Sequence, residues 1–559
     1  MILSNYFGVE MPKIVKNSVN DFLGNVSNNH DFNSVLMLSL KLAGFYILLS
    51  ILKGFFLFLT RQMLIIVSRY IEFDLKNEIY QQYQRLNFSF YKKNRTGDLM
   101  NRISEDVSQV RQYLGPGWMY TINLVILFFM VVFTMLKINV TLTLIVLAPL
   151  PIMSILIYRV SSKMNKLSKE VQEEQSLLST IVQESFSGIR VIKAYIRERE
   201  VQAKFNVSSE EFKNRSMRLV MTNALFMPTI VFLIGLSTLL TIYYGGILTY
   251  SKVITPGDII AFIFYVNMLT WPFASVGWVT SINQRAAASQ ARINEFLEIK
   301  PEIVNQTTEK LGDIKSIQFE NVSFAYDNSG IEAIKNISFS INEGETLGIV
   351  GRTGSGKSTI LNLLTRLVDP QSGKIKVNEK DLKVINLDDF RAQSGVVPQD
   401  VFLFSDTIGN NIKFGLNADS VSEHDLVDVT KIAHVYHNIA DFKDGFETLL
   451  GERGVNLSGG QKQRVSIARA LIRKPKLLLL DDCLSAVDTE TEDIILKSIN
   501  ANFKENLSVI VSHRVSSLRF ATKIIVIENG EKVEEGTHDD LLKLNGIYAE
   551  MYQKQLTES

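Results

Sequence analysis

Gly351-Arg352-Thr353-Gly354-Ser355-Gly356-Lys357-Ser358-Thr359 is the stretch on which the reading of this chain turns. An apolar, strand-like run from Thr346 to Val350 precedes it and an apolar helical run from Ile360 to Leu367 follows, the setting that a P-loop requires. Glycines let successive backbone N–H groups turn toward phosphate oxygens, and the start of the following helix adds positive potential. Lys357 has the reach for β- and γ-phosphates, and the Ser358 hydroxyl can ligate Mg²⁺. The expected ligands are therefore ATP and Mg²⁺, with Gly351, Thr353, Gly354, Ser355, Gly356, Lys357, Ser358 and Thr359 as the cradle.

Further along, Leu477 to Leu480 form an apolar strand that ends in Asp481 and Asp482. In ATP hydrolysis a first carboxylate can hold Mg²⁺ while a second positions or deprotonates the attacking water. Upstream of that strand, Leu457-Ser458-Gly459-Gly460-Gln461 precedes a helix running through Arg464 and Ala468. Ser458, Gly459 and Gly460 offer a hydroxyl, exposed amides and a helix dipole suited to a γ-phosphate, and the same pentapeptide would also serve as a plain helix cap.

At this distance after a P-loop, the pentapeptide resembles the signature of ATP-binding-cassette (ABC) proteins. The resemblance implies that Ser458, Gly459 and Gly460 meet the nucleotide held by an opposite subunit. It also implies that Tyr326 stacks on adenine, that Gln399 in VVPQD links Mg²⁺ and water to the membrane half, and that Asp488 in SAVD sits at a dimer seam. His513 in VSHR matches the switch histidine that contacts the γ-phosphate. The second acid of the strand is usually Glu in this family. Asp482 is shorter by one methylene, about 1.5 Å, so this site is expected to bind ATP well and to hydrolyse it slowly.

The chain has 559 residues, 46% of them hydrophobic, with a net charge of +1. Length implies more than one domain, composition implies that part of it lives in lipid, and the near-neutral charge gives no field for gathering nucleic acid. Apolar runs near Leu36 to Leu59, Met119 to Leu136, Val140 to Tyr158, Ala224 to Tyr244 and Ile259 to Val279 each approach the ~20 residues of a membrane span. The segments Arg61 to Gly117 and Arg159 to Met221 are long, polar and basic, which places them in the cytoplasm and makes them extensions of the spanning helices. Within them, Phe90 to Arg111 and Glu184 to Glu200 have the charged, Gly-containing character of short transverse helices. Five spans would leave the N-terminus outside, so Met1 to His30 reads as the outer end of a missing first helix plus an external loop. The expected organisation is a transmembrane domain over 1–300, a polar linker over 301–314 and a nucleotide-binding domain over 315–559.

The membrane half is similar to the exporter type of ABC half-transporter, which includes multidrug exporters and the lipid A flippase; the two transverse-helix regions resemble its coupling helices. The fold implied is an α-helical transmembrane bundle followed by an α/β P-loop NTPase domain. The function implied is ATP-driven export or flipping of a lipophilic compound (lipid, drug or peptide) at the plasma (inner) membrane, with the cassette in the cytoplasm. The partner is a second ABC half-transporter, and Asp482 beside an intact signature favours a heterodimer over a homodimer. An ATP-binding regulatory or gating subunit is the alternative. Phe262, Phe264, Tyr265, Met268, Trp271 and Phe273 are read as packing residues before cargo contacts; Lys53, a charge within a span, prompts a site hypothesis that snorkelling of its long stem would equally explain. Cys483, the only cysteine, is read as a small buried side chain.

Overall fold

The computed structural model describes residues 1–27, 32–326, 330, 332–416 and 421–558. The chain forms two compact units, one of Met1–Gln84 with Thr96–Ile299 and one of Arg85–Arg95 with Lys300–Ser559.

The first unit is helical: α1 (Ile2–Ser27), α2 (Phe32–Arg85), α3 (Trp118–Ile138), α4 (Pro149–Ser187), α5 (Glu198–Ala224), α6 (Phe226–Tyr250) and α7 (Pro256–Leu297), joined by shorter helices. Among the described residues, five helical runs are long and apolar enough to cross a membrane: Val35–Arg85, Thr96–Ile138, Val140–Ser187, Glu198–Tyr250 and Pro256–Leu297. Each contains one of the five apolar stretches read from the sequence and continues beyond it, as expected for spans that extend into the cytoplasm. Between the second and third runs the chain breaks at Asn139, whose side chain accepts from the Leu142 N–H at 2.9 Å and starts a new helix.

The N-terminal segment is helical, as its reading as a helix end expects, but the helix runs on through Ser27, where the sequence reading expects a loop. Ile2–Ser27 is one helix lying antiparallel to α2: the Met1 amino group donates to Thr60 Oγ1 (3.1 Å) and Ser4 Oγ to the Lys53 carbonyl (3.1 Å). Its inward face is polar as well as apolar, with Ser4 and Asn5 buried beside Val9 and Ile14, and this mixed composition hides the helix from a search for apolar runs. Lys16 pairs with Asp258 of α7 at 2.6 Å, and the buried Tyr265 hydroxyl donates to the Val9 carbonyl at 3.2 Å. His30 lies outside the described residues. The Lys53 stem runs against Gly8 of α1, its Cε 3.3 Å from where a Cβ would stand. On α7, Phe262 and Tyr265 are fully buried whereas Phe264 and Trp271 are exposed.

The cassette unit holds two sheets. An antiparallel sheet has the order β2-β1-β4-β5, built from β1 (Ser316–Ala325), β2 (Glu332–Asn342), β4 (Ser372–Val377) and β5 (Lys380–Asp381). A six-stranded sheet has the order β10-β9-β3-β8-β7-β6, from β3 (Thr346–Val350), β6 (Ser394–Val397), β7 (Leu477–Asp481), β8 (Leu507–Val511), β9 (Lys523–Glu528) and β10 (Glu531–Gly536). All its pairs are parallel except β9 with β10. β3, β7 and β8 are buried along their whole length, as their predominantly apolar runs favour in a sheet covered on both faces. The short helix Phe88–Lys93, which follows α2 in sequence, belongs to this unit, where Asn87 donates to Glu302 at 2.6 Å.

Candidate functional site: a nucleotide cavity at the strand ends

The carboxyl ends of β3 and β7 open onto a cavity of about 1080 Å³, the usual place for a ligand in a parallel sheet. From β3 the chain turns through residues 351–356 into α8 (Lys357–Leu364). Three glycines make the turn possible. A Cβ on Gly351 would stand 2.1 Å from the Ile527 carbonyl, and one on Gly356 would stand 2.2 Å from the Ala333 carbonyl. Gly354 and Gly356 also take φ of +82° and +102°, in the left-handed region that only glycine enters freely.

Lys357 Nζ donates to the Gly351 (2.8 Å) and Arg352 (2.9 Å) carbonyls, which holds the ammonium over the loop. Burial lowers its pKa, against the opposing pull of Asp482 and Asp481. Ser358 Oγ donates to Asp481 Oδ1 at 3.1 Å. Burial raises the pKa of Asp481, the Ser358 hydroxyl bond and Lys357 oppose the rise, and the Asp482 and Asp400 charges add to it. Two adjacent carboxylates, one of them buried, with a hydroxyl alongside form a donor set suited to a hard divalent cation that keeps water and phosphate as its other ligands. Ser355 Oγ is buried without a hydrogen-bond partner, an open polar group inside the same loop. The residues present thus fit Mg²⁺ with a nucleotide triphosphate.

Asp482 continues the β7–β8 ladder by one bond, its N–H donating to the Val511 carbonyl at 2.8 Å, and then turns to φ +44°. That turn points its carboxylate at His513: Oδ1 lies 2.7 Å from Nδ1. Gln399, Thr353, Thr359 and Tyr326 line the cavity as well. Tyr326 is hydrogen-bonded to Thr359 Oγ1 through its hydroxyl at 3.3 Å, and Lys92 Nζ lies 4.4 Å from the centre of its ring.

Ser458, Gly459 and Gly460 do not line this cavity. They sit at the start of α9 (Gly459–Leu471), where Ser458 Oγ accepts the Gln461 N–H at 3.3 Å and Gln461 Oε1 accepts the Ser458 N–H at 2.9 Å. The pentapeptide is therefore a helix cap in this fold, outside the lining of the chain's own P-loop cavity. Gln463 ties this helix to the segment after β7, accepting the Ala486 N–H at 3.1 Å and donating to Ser485 Oγ at 3.3 Å. Asp488 caps α10 (Thr489–Asn502) by accepting the Thr491 N–H at 2.9 Å. Cys483 is buried and its thiol pKa is raised by that burial, in keeping with a small core side chain.

Part of the lining comes from residues that the sequence reading passed over: Glu332, Ala333 and Lys335 on β2, with Asn529 and Gly530. The last two form the β9–β10 hairpin turn, with positive φ at both positions. An Asn-Gly pair between two strands is a hairpin signal visible in sequence. Its place beside the P-loop is fixed only in space, where the Lys335 N–H donates to the Gly530 carbonyl at 2.7 Å.

A multi-pass helical membrane unit fused to an ATP-binding cassette is the architecture of a transporter driven by ATP. The chain belongs to the ABC transporter family: the ABC transporter transmembrane region matches residues 1–273 and the ABC transporter cassette residues 334–485. It is a half-transporter of the exporter type. It is 38% identical over 470 residues to the probable multidrug resistance ABC transporter ATP-binding/permease protein YheI of Bacillus subtilis (strain 168), covering 83% of this chain and 80% of that one. It is 31% identical over 514 residues to the ATP-dependent lipid A-core flippase of Syntrophus aciditrophicus (strain SB), covering 92% and 85%. Among solved structures, a bacterial Atm1-family ABC exporter with ATP bound superimposes with a TM-score of 0.82 at 25% identity, over 99% of this chain and 97% of that one.

Proposed function

We propose that this chain binds Mg–ATP in the cavity at the ends of β3 and β7 and, as one half of a dimer, uses it to move a lipophilic or amphipathic compound across the membrane. The observation that carries this reading is the convergence of Lys357, Ser358, Asp481, Asp482, Gln399 and His513 on one cavity. In this reading the P-loop amides and Lys357 bind and orient the phosphates, Tyr326 stacks on the base, and Ser358, Asp481 and Gln399 hold Mg²⁺. Bound Mg²⁺ supplies charge neutralisation at the transferred phosphoryl group. Asp482 and His513 position the attacking water, and His513 holds the short carboxylate in place through the 2.7 Å contact. Ser458, Gly459 and Gly460, which do not line the chain's own cavity, serve the nucleotide of a second cassette in this reading.

The shortness of Asp482 favours a slow site here and a heterodimer in which the partner's site hydrolyses faster. The same observation keeps a second reading open, an ATP-binding gating subunit that moves no cargo itself. Inside-out vesicles carrying the full assembly separate the two. Export predicts ATP-dependent uptake of a lipophilic dye or lipid analogue that Lys357→Ala impairs. ATP binding without any uptake across a panel of such compounds would favour the gating reading.

A further inference from the structure

Between α4 and α7, inside the transmembrane unit, lies a second cavity of about 230 Å³. Its walls are one face of each helix. Tyr158, Ser161 and Asn165 recur on α4 at helical spacing, as do Gly277, Ser281 and Gln284 on α7. Gly277 lets the helices approach, since a Cβ there would stand 3.0 Å from Ser161 Oγ.

Polarity changes along the cavity. The end within the apolar stretches is lined by Ile157, Phe273 and Val276, and the opposite end, beyond where those stretches stop in the sequence at Tyr158 and Val279, by Asn165 and Gln284. Among the described residues, no charged side chain lines it. The hydroxyls of Ser154 and Thr280 bond the carbonyls of Leu150 (3.1 Å) and Val276 (2.9 Å) in their own helices. Among the described residues, Ser161, Asn165, Ser281 and Gln284 have no protein hydrogen-bond partner, so their donors and acceptors are left for whatever enters. An ionic head entering such a lining would lose hydration without a counter-charge, whereas a hydroxyl or amide would exchange water for side-chain partners. The volume is below the ~300–1,000 Å³ typical of sites that enclose a whole drug-sized ligand, so it fits one head group with the tail outside.

We propose that this cavity binds the uncharged polar head of an amphiphile, a hydroxyl- or amide-bearing group on an apolar tail. Cargo selection at this point rests on the export reading above; the binding itself does not. A glycolipid of the membrane and a free amphiphile share this chemistry.

The test is equilibrium binding of radiolabelled decyl glucoside to the full chain in lipid nanodiscs, without ATP and in parallel with Lys357→Ala, so that failure of ATP turnover leaves the result untouched. Saturable binding is expected. Decyltrimethylammonium and decyl sulfate should compete poorly, and Asn165→Leu with Gln284→Leu should weaken binding roughly tenfold through two lost hydrogen bonds. Ser161→Ala with Ser281→Ala provides a milder pair if the first variant assembles badly. Competition by monoglucosyl diacylglycerol in the nanodisc would identify a lipid as the source, and its absence a free amphiphile. Equal competition by the charged amphiphiles, unchanged binding in both double variants, or no saturable binding to the wild type would overturn the proposal.

Discussion

Asp482→Glu is expected to speed ATP hydrolysis at this chain's own site. In the wild type, Asp482 Oδ1 is 2.7 Å from His513 Nδ1 and the residue has φ +44°. One added methylene advances the carboxylate by about 1.5 Å, more than that contact can absorb, so the longer side chain must swing past His513 into the cavity. There it should gain the reach toward water that the proposed slow site lacks. Left-handed φ suits Asp better than Glu, so the change should cost the cassette at most ~1 kcal/mol of stability. Lowering the barrier by about 1.4 kcal/mol corresponds to a tenfold faster rate. The assay is Mg–ATP turnover of the full chain in nanodiscs, with nucleotide affinity measured alongside. Turnover should rise several-fold at nearly constant affinity. Equal or lower turnover in the Glu variant would show that the Asp482–His513 arrangement is already sufficient and would refute the slow-site argument.

Three further outcomes follow from the same cavity. Lys357→Ala removes the cation held over the P-loop by the Gly351 and Arg352 carbonyls, and should abolish tight ATP binding and hydrolysis in a fluorescent-nucleotide titration. Tyr326→Ala should weaken ATP binding by about 1–2 kcal/mol, the scale of one lost base stack, while Tyr326→Phe should retain most of it. Asp481→Asn should abolish Mg-dependent turnover yet raise the melting temperature of the nucleotide-free protein. A carboxyl whose folded pKa is raised keeps its proton longer when folded, so the wild type loses stability as pH climbs through that raised value. The advantage of Asn should therefore grow with pH and vanish on the acid side.

The cassette was legible because its chemistry is local in sequence. The strand Thr346–Val350 and the Leu477–Asp481 strand stand where their apolar runs placed them, since a fully buried parallel strand needs an unbroken apolar stretch. The five spans were legible for the same reason. The full length of α1 was not, beyond the helix end read there, because its burial depends on neighbours: Asn5 bonds Asn123 at 3.0 Å and Lys16 bonds Asp258 at 2.6 Å, partners more than a hundred residues away. The Asp482–His513 contact and the Asn529–Gly530 side of the cavity likewise arise from sheet order, which brings β8 between β3 and β7 and β9 beside β3. No one-dimensional pattern encodes that order.

The most direct test of the account is photo-crosslinking from position 458 in the full-length chain in its native membrane, with benzoylphenylalanine in place of Ser458. Because the signature does not line the chain's own cavity, ATP should produce an adduct with a second cassette-bearing chain, either another copy or a different half-transporter, and Lys357→Ala should diminish it. An adduct that forms equally without ATP, an adduct confined within one chain, or no adduct at all would contradict the claim that two half-transporters close around ATP.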